Sequence, residues 1–303
     1  MKVKIEISII TFFYILIKKK ILFLILNRDI YMKSMKQVSI IGVGFVGGAM
    51  VKSLSLKNVP TKSYDKFKDL DSFESCLDSS IMFLCLPTLF SEEKMEYDKS
   101  AIHETCQMLE KHQYDGIVVI KSTVEPMTTI SLATTYPSLK FIHNPEFLTA
   151  RTAFEDFHNQ THIVLGTTST ITDSDLDFVK EFYHSLYPVA EISICSSTES
   201  ESMKIFCNTF YAVKIHFFTE LHILCKKMNC DYDTVKQLML KNNWINPMHT
   251  TIPGPDGMLS YGGYCFPKDT NALCKFMESM QVPHALLENT IEERNDMRPE
   301  KFF

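Results

Sequence analysis

The sequence predicts an α/β fold in which a doubly wound parallel sheet comes first and an all-helical domain built on one long helix follows. Three observations predict it: short β-rich runs alternating with helical spacing up to about residue 196, a GxGxxG turn after the first run, and a stretch over residues 197 to about 229 without Pro or Gly. A length of 303 residues, 45% hydrophobic and 22% charged, fits a globular chain of two domains and excludes a disordered tail or a collagen-like rod.

Charge divides the chain unevenly. Up to Lys36 there are eight basic residues against two acidic, and the rest carries 23 against 34. No concentrated basic excess marks a nucleic-acid binder, so nucleic acid is not an expected partner. The apolar run in the first segment is broken by Lys18, Lys19 and Lys20 and falls short of the roughly 20 residues a membrane-spanning helix needs, so no membrane partner is expected. Residues 1–34 are read as an extension outside the fold. The alternative is a secretory signal or anchor, against which stand a second apolar block and the lack of a small-residue cleavage site. Nine cysteines occur without a CxxC pair or repeating spacing, so no metal site and no disulfide framework is expected, and a reducing, cytoplasmic setting follows.

The first domain is placed over residues 35–196. Val38-Ser39-Ile40-Ile41 reads as a strand, Gly42-Val43-Gly44-Phe45-Val46-Gly47 completes GxGxxG, and residues 49–56 continue at helical spacing. Two glycines let the backbone turn and approach a pyrophosphate, the third packs helix on strand, and the free N–H groups of the helix start face the negative charge. Asp65 ends a second strand-like run, 21 residues after Gly44, where a carboxylate accepts hydrogen bonds from the adenosine ribose. This is a Rossmann fingerprint. Asp65 favours NAD over NADP, although Lys66 and Lys68 leave room for a 2'-phosphate.

Further strands are read at residues 81–86, 117–120, 139–142 and 162–165. Ligands of such sheets lie beyond the carboxyl ends of the strands, and three polar loops leave the sheet there. They are Pro87-Thr88, Lys121-Ser122-Thr123-Val124-Glu125-Pro126 and His143-Asn144-Pro145-Glu146-Phe147. Singly, each is ordinary loop chemistry.

The second domain is placed over residues 197–303. Its long helix carries Lys204 and Asn208 four apart, hence on one face; a solvated flank explains such a pair equally well. A second helix is expected at residues 231–240, then an irregular stretch over residues 242–264, then Cys265-Phe266-Pro267-Lys268-Asp269 and further helix to about Met297. A loop of that length inside a helical domain is functional or disordered.

Together these blocks resemble the UDP-glucose/GDP-mannose dehydrogenase family, which oxidises the C6 alcohol of a nucleotide sugar to a carboxylate with two NAD. The resemblance rests on the GxGxxG turn, Lys121-Ser122-Thr123-Val124, Asn144-Pro145-Glu146-Phe147-Leu148, Glu201 with Lys204 and Asn208, and Gly262-Gly263-Tyr264-Cys265-Phe266-Pro267-Lys268-Asp269. It implies that Gly42, Gly44, Phe45, Val46, Gly47, Asp65, Pro87, Thr88, Ser122 and Thr123 hold the cofactor. It further implies that Glu146, Phe147, Leu148, Lys204, Asn208, Gly262 and Cys265 meet the sugar. Oxidation past the aldehyde without release needs a covalent handle, and a thiolate supplies one as a thiohemiacetal and then a thioester. The resemblance makes Cys265 that nucleophile and Asp269 the acid/base. Lys204 and Asn208 would stabilise the oxyanion, and Thr123 and Glu146 would serve water positioning and thioester hydrolysis.

Two departures stand out. Ala150 occupies a position where typical members have a second glutamate, and the sequence stops at Phe303, where the family continues into a nucleotide-gripping domain. The expectation is therefore a nucleotide-sugar dehydrogenase lacking that domain, dimerised through the long helix by Phe206, Phe210, Phe217 and Phe218. A single-oxidation β-hydroxyacid-type dehydrogenase and a truncated NAD-binding pseudoenzyme are the alternatives.

Overall fold

A computed structural model of the chain describes residues 37–149 and 151–300; the extension read over residues 1–34 lies outside the described residues. In chain order the first half forms β1 (Val38–Ile41), α1 (Phe45–Leu56), β2 (Thr61–Tyr64), α2 (Phe73–Cys76), β3 (Ile81–Leu84), β4 (Phe90–Ser91), β5 (Glu96–Tyr97), α3 (Ser100–Lys111) and β6 (Ile117–Ile120). There follow α4 (Thr128–Thr135), β7 (Lys140–His143), α5 (Ala153–His158), β8 (His162–Thr167), α6 (Asp173–Leu186) and β9 (Glu191–Ser196). The second half is helical: α7 (Ser197–Lys227), α8 (Tyr232–Leu240), α9 (Phe266–Ser279) and α10 (Ala285–Met297).

Seven strands form one sheet in the order β2-β1-β3-β6-β7-β8-β9. Alternate residues of its central strands serve opposite cores. Val38, Ile40, Phe83 and Val119 pack on one face, Ile41, Leu84, Val118 and Ile120 on the other. Both faces are covered, so these strands are apolar on both sides rather than alternating with exposed polar residues, and the one polar residue of β1, Ser39, is buried with its hydroxyl donating to the Cys76 carbonyl.

The sheet is not wholly parallel, which corrects the expectation. β7 pairs antiparallel with β8 through Ile142 with Thr167 and His143 with Gly166, and β9, absent from the sequence reading, pairs parallel with β8. A parallel return needs a crossover of a dozen or more residues, usually one helix. The 18 residues between β7 and β8 are enough for one, but the one helix described among them, α5, has only six residues.

The long helix begins as its sequence dictates. Ser196 accepts from the Glu199 amide and Glu199 returns to the Ser196 backbone, a capping box. Of the four phenylalanines expected on its free face, Phe206, Phe210 and Phe217 are exposed, but Phe218 is buried beside Cys225, Tyr232 and Ile252. Counted from Phe206, successive 100° steps put Phe210, Phe217 and Leu224 within about 40° of one line, whereas Phe218 falls about 120° away. Among the described residues no helix is long and apolar enough to cross a membrane.

Candidate active site

One cleft of ≈ 880 Å³ opens at the carboxyl edge of the sheet and is closed on its far side by the segment before α9. Its walls bring together Gly42, Gly44, Phe45, Val46, Asp65, Pro87, Thr88, Ser122, Thr123, Glu146 and Cys265. Five loops supply the near wall, leaving the carboxyl ends of the parallel strands β1, β2, β3, β6 and β7, as the sheet's topology requires.

The glycine loop shows what each glycine is for. A Cβ on Gly42, whose φ is +88°, would lie 2.5 Å from the Cys85 carbonyl oxygen, and one on Gly47 would lie 1.9 Å from the Gly42 carbonyl oxygen. A Cβ on Gly44 meets nothing within 4 Å. The first two are demanded by the chain's own packing; Gly44 keeps a space open. That space faces the start of α1, which has no side-chain cap and no acidic residue in its first turn, so its amides are free for an anion. Asp65 stands beside it, accepting from the Val43 amide at 2.8 Å and the Phe67 amide at 3.0 Å, which leaves lone pairs for ribose hydroxyls. The two lysines that left room for a 2'-phosphate are engaged elsewhere: Lys66 pairs with Glu104 at 2.8 Å and Lys68 donates to the Val43 carbonyl. The residues present fit NAD.

The floor is tied by hydroxyls. Ser122 Oγ donates to the Leu86 carbonyl at 2.7 Å, and Thr88 Oγ1 to the Thr123 carbonyl at 2.7 Å, latching the loops after β3 and β6. Below them Lys121 is buried, donating to Asn144 Oδ1 at 2.9 Å and the Pro145 carbonyl at 3.3 Å. Burial, joined by the nearby Lys204, lowers its pKa to about 8. This shapes the loop that carries Glu146.

Opposite stands a connected polar set. Lys204 Nζ lies 2.9 Å from Glu146 Oε1, and Glu146 Oε2 accepts from the Leu148 amide. Burial alone would lower the Lys204 pKa, but the Glu146 carboxylate, aided by Asp269, raises it, so the ammonium stays charged. Asn208 Nδ2 donates to Asp269 Oδ2 at 2.6 Å, and Tyr97 Oη and Lys268 Nζ both donate to Asp269 Oδ1. Asp269 is fully buried. Cys265 is the N-cap of α9 and exposed at the cleft. Desolvation inside the cleft, followed by the Asp269 carboxylate, raises its thiol pKa, while Lys268 and Lys204 pull the other way. The resting thiol therefore keeps its proton.

Gly262, Phe147 and Leu148 do not line the cleft, nor do Lys204 and Asn208, although the Lys204 ammonium lies 5.8 Å from the centre of the Phe147 ring. Gly262 is absent from the cleft wall; a Cβ there would lie 2.3 Å from Arg298 Nη2, so its smallness serves the packing of that guanidinium. Phe147 stacks on His162 with centroids 5.9 Å apart, and Leu148 packs against the sheet core, contributing its amide to Glu146. Glu201 is a helix cap: it accepts from the Met127 amide at 2.7 Å and the Thr129 amide at 2.7 Å, and burial pushes its carboxyl up to about 7 despite them. Tyr97, missed in the sequence reading, is brought in by the β4–β5 hairpin; its 172-residue separation from Asp269 leaves no local signal.

A Rossmann sheet presenting a dinucleotide cradle to a helical domain defines a dinucleotide-binding protein, here with a cysteine at the cleft. Residues 56–187 match the NAD binding domain of the UDP-glucose/GDP-mannose dehydrogenase family, and residues 198–296 match its central domain. The chain belongs to that family, and its cofactor is NAD. UDP-glucose 6-dehydrogenase of Rickettsia prowazekii (strain Madrid E) is 29% identical over 220 residues, covering 69% of this chain and 48% of that protein. UDP-glucose 6-dehydrogenase YwqF of Bacillus subtilis (strain 168) is 30% identical over 206 residues, covering 65% and 44%. The chain thus spans about half the length of the curated relatives it matches. Among solved structures, a UDP-glucose dehydrogenase from Pyrobaculum islandicum shares the fold with a TM-score of 0.75 at 22% identity, over 85% of this chain and 67% of that one. Mycobacterium tuberculosis 3-hydroxyisobutyrate dehydrogenase shares it at 0.66 and 13% identity, over 86% and 93%.

Proposed function

We propose that the protein oxidises the C6 alcohol of a nucleotide sugar of the UDP-glucose type to the carboxylate, through a thiohemiacetal and a thioester on Cys265. The observation that carries this reading is one cleft lined by the glycine loop and Asp65 at one end and by Cys265, Lys268 and Glu146 at the other, with Glu146 paired to the buried Lys204, and Lys268 bonded to Asp269, which also holds Asn208.

NAD, when bound, accepts the hydride in each of two oxidations. The chain's residues handle charge and protons. The alcohol loses a hydride and a proton to give the aldehyde, and Lys204 faces the developing oxygen charge in a water-poor setting where a fixed cation is worth several kcal/mol. The Cys265 sulfur then adds to the aldehyde carbon as its proton departs, and the Lys204 and Lys268 ammonium groups with the α9 N-terminus favour the thiolate at that moment. Loss of a second hydride and a hydroxyl proton turns the thiohemiacetal into the thioester. Water adds to the thioester carbon, the C–S bond breaks, and the thiol is restored beside the acid product. Glu146, held between Lys204 and the Leu148 amide, is the carboxylate placed for that water, with Thr123 on the same wall. Asp269, gripped by three donors, acts as the acid/base group and keeps Asn208 in place.

We further propose that the chain is a cytoplasmic homodimer through α7, whose exposed Phe206, Phe210 and Phe217 form an apolar stripe that a second copy would cover.

The test incubates purified protein with NAD and UDP-glucose and follows NADH and product. The expected result is two NADH per sugar and the free acid, with Cys265→Ser abolishing completed oxidation while binding NAD normally. One NADH per sugar with an undiminished Cys265→Ser variant would replace this reading with a single oxidation. No turnover with any nucleotide sugar, at normal NAD affinity, would leave a binding protein.

A further inference from the structure

Outside the cleft, α7 and α10 bring three ligating side chains together. His216 and Glu220 are one turn apart on α7, and Glu293 reaches them from α10. His216 Nε2 lies 2.8 Å from Glu293 Oε2 and 3.9 Å from Glu220 Oε1, and the ligating atoms of all three lie within 4.8 Å of one another. Ligands about 2.0–2.2 Å from a tetrahedral ion stand about 3.4 Å apart, and the two measured separations bracket that value.

Charge and orientation point the same way. Two carboxylates converge on one imidazole nitrogen, and among the described residues neither carboxylate has a lysine or arginine partner. The ring is 4% exposed, while the two carboxylate side chains are 49% and 53% exposed, so an ion there keeps access to water. The second shell is built as well. His216 Nδ1 lies 2.8 Å from Ser260 Oγ, and the Ser260 amide donates to Thr219 Oγ1 at 3.0 Å. A hydrogen bond at Nδ1 is what orients a metal-binding imidazole, and the ion would take the place of the hydrogen bond that now joins Nε2 to Glu293.

We propose that His216, Glu220 and Glu293 bind one first-row divalent cation of the Zn²⁺ type, with water completing its coordination. One nitrogen and two carboxylate oxygens suit a borderline ion rather than a soft one. The ion clamps α7 to α10 and, through Ser260, holds the segment that leads into Cys265. Arg294, next to Glu293, donates to the Tyr261 carbonyl at 3.1 Å and anchors the same segment.

The experiment uses the full chain freed of metal by chelation, with Co²⁺ titrated by visible absorption and Zn²⁺ by calorimetry. The expected result is one ion per chain, with cobalt d–d bands and no intense thiolate charge-transfer band, which separates this site from the nine cysteines. Glu293→Gln and Glu220→Gln, both on the surface, should each weaken binding at least about tenfold, and Ser260→Ala about tenfold. NAD affinity should remain unchanged, showing that the variants fold. Absence of saturable binding below about 1 mM, a thiolate band, or native affinity in both glutamine variants would overturn the proposal.

Discussion

Replacing Gly44 by alanine separates what the glycine loop does for the chain from what it does for the ligand. A methyl group there meets no protein atom within 4 Å, and the residue's φ of −81° is open to any amino acid. As the N-cap of α1 it loses little on becoming alanine, a few tenths to about 1 kcal/mol. The methyl fills the space where a phosphate would approach the α1 amides. Losing one hydrogen bond to a charged oxygen costs about 1.5–3 kcal/mol, or about tenfold to 150-fold in NAD affinity. Gly47→Ala is the contrast, because its Cβ would lie 1.9 Å from a backbone oxygen and the loop must move to admit it. Calorimetric titration with NADH and urea unfolding of both variants decide the matter. Gly44→Ala should unfold near the native midpoint and bind poorly; Gly47→Ala should be strongly destabilised. Native NADH affinity in Gly44→Ala, or equal destabilisation of the two, would refute this account of the cradle.

Asp65→Ala should weaken NAD by roughly the worth of one charge-assisted bond, about tenfold to 150-fold, and narrow the preference over NADP; a titration with both coenzymes checks it, and an unchanged ratio counts against Asp65 as the selector. Phe210→Asp places a charge in the exposed stripe of α7, so sedimentation at micromolar concentration should show a native dimer and a monomeric variant; a native monomer sinks the dimer. Because its surroundings raise the Cys265 pKa, the thiol is neutral at pH 7, and its alkylation rate should keep rising as pH passes the ordinary thiol range. A plateau below about pH 8 would mean the two lysines outweigh burial and Asp269. Lys204→Met removes one cation and should shift the alkylation profile further upward.

What could be read in the sequence was local. The GxGxxG turn with Asp65 works through a short stretch of backbone, and the start of α7 is written in Ser196 and Glu199, three residues apart. Features set by distant partners were not legible. Gly262 looks like a substrate-facing glycine until Arg298, 36 residues later, is found packed on it. Phe218 differs from Phe217 only in helical phase against a core that the sequence does not draw. The antiparallel pairing of β8 with β7 joins residues more than 20 apart and has no local mark in the sequence. Glu201 shares the helix with Lys204 and Asn208, yet caps α4 because α4 packs against that end of α7.

The boundary between the halves, read at residues 196 and 197, also needs a physical restatement. The β4–β5 hairpin belongs by sequence to the Rossmann half, but Tyr97 is buried with Ile205, Ala272 and Leu273 of the helical half. Its hydroxyl bonds Asp269 and its amide Glu125, so one residue ties both halves at the site. Glu201 reaches back to Met127 and Thr129, Lys204 to Glu146, and the rings of Phe45 and Tyr264 meet 6.2 Å apart across the cleft. A hinge placed only at Ser197 would have to tear Tyr97 from an apolar core, at roughly the 1.5–3 kcal/mol of a large buried side chain, and leave Asp269 short of a donor. Opening on the Phe45–Tyr264 side needs neither. The ties between the halves are thus strongest at the Tyr97–Asp269–Asn208 end and weakest where the rings of Phe45 and Tyr264 meet.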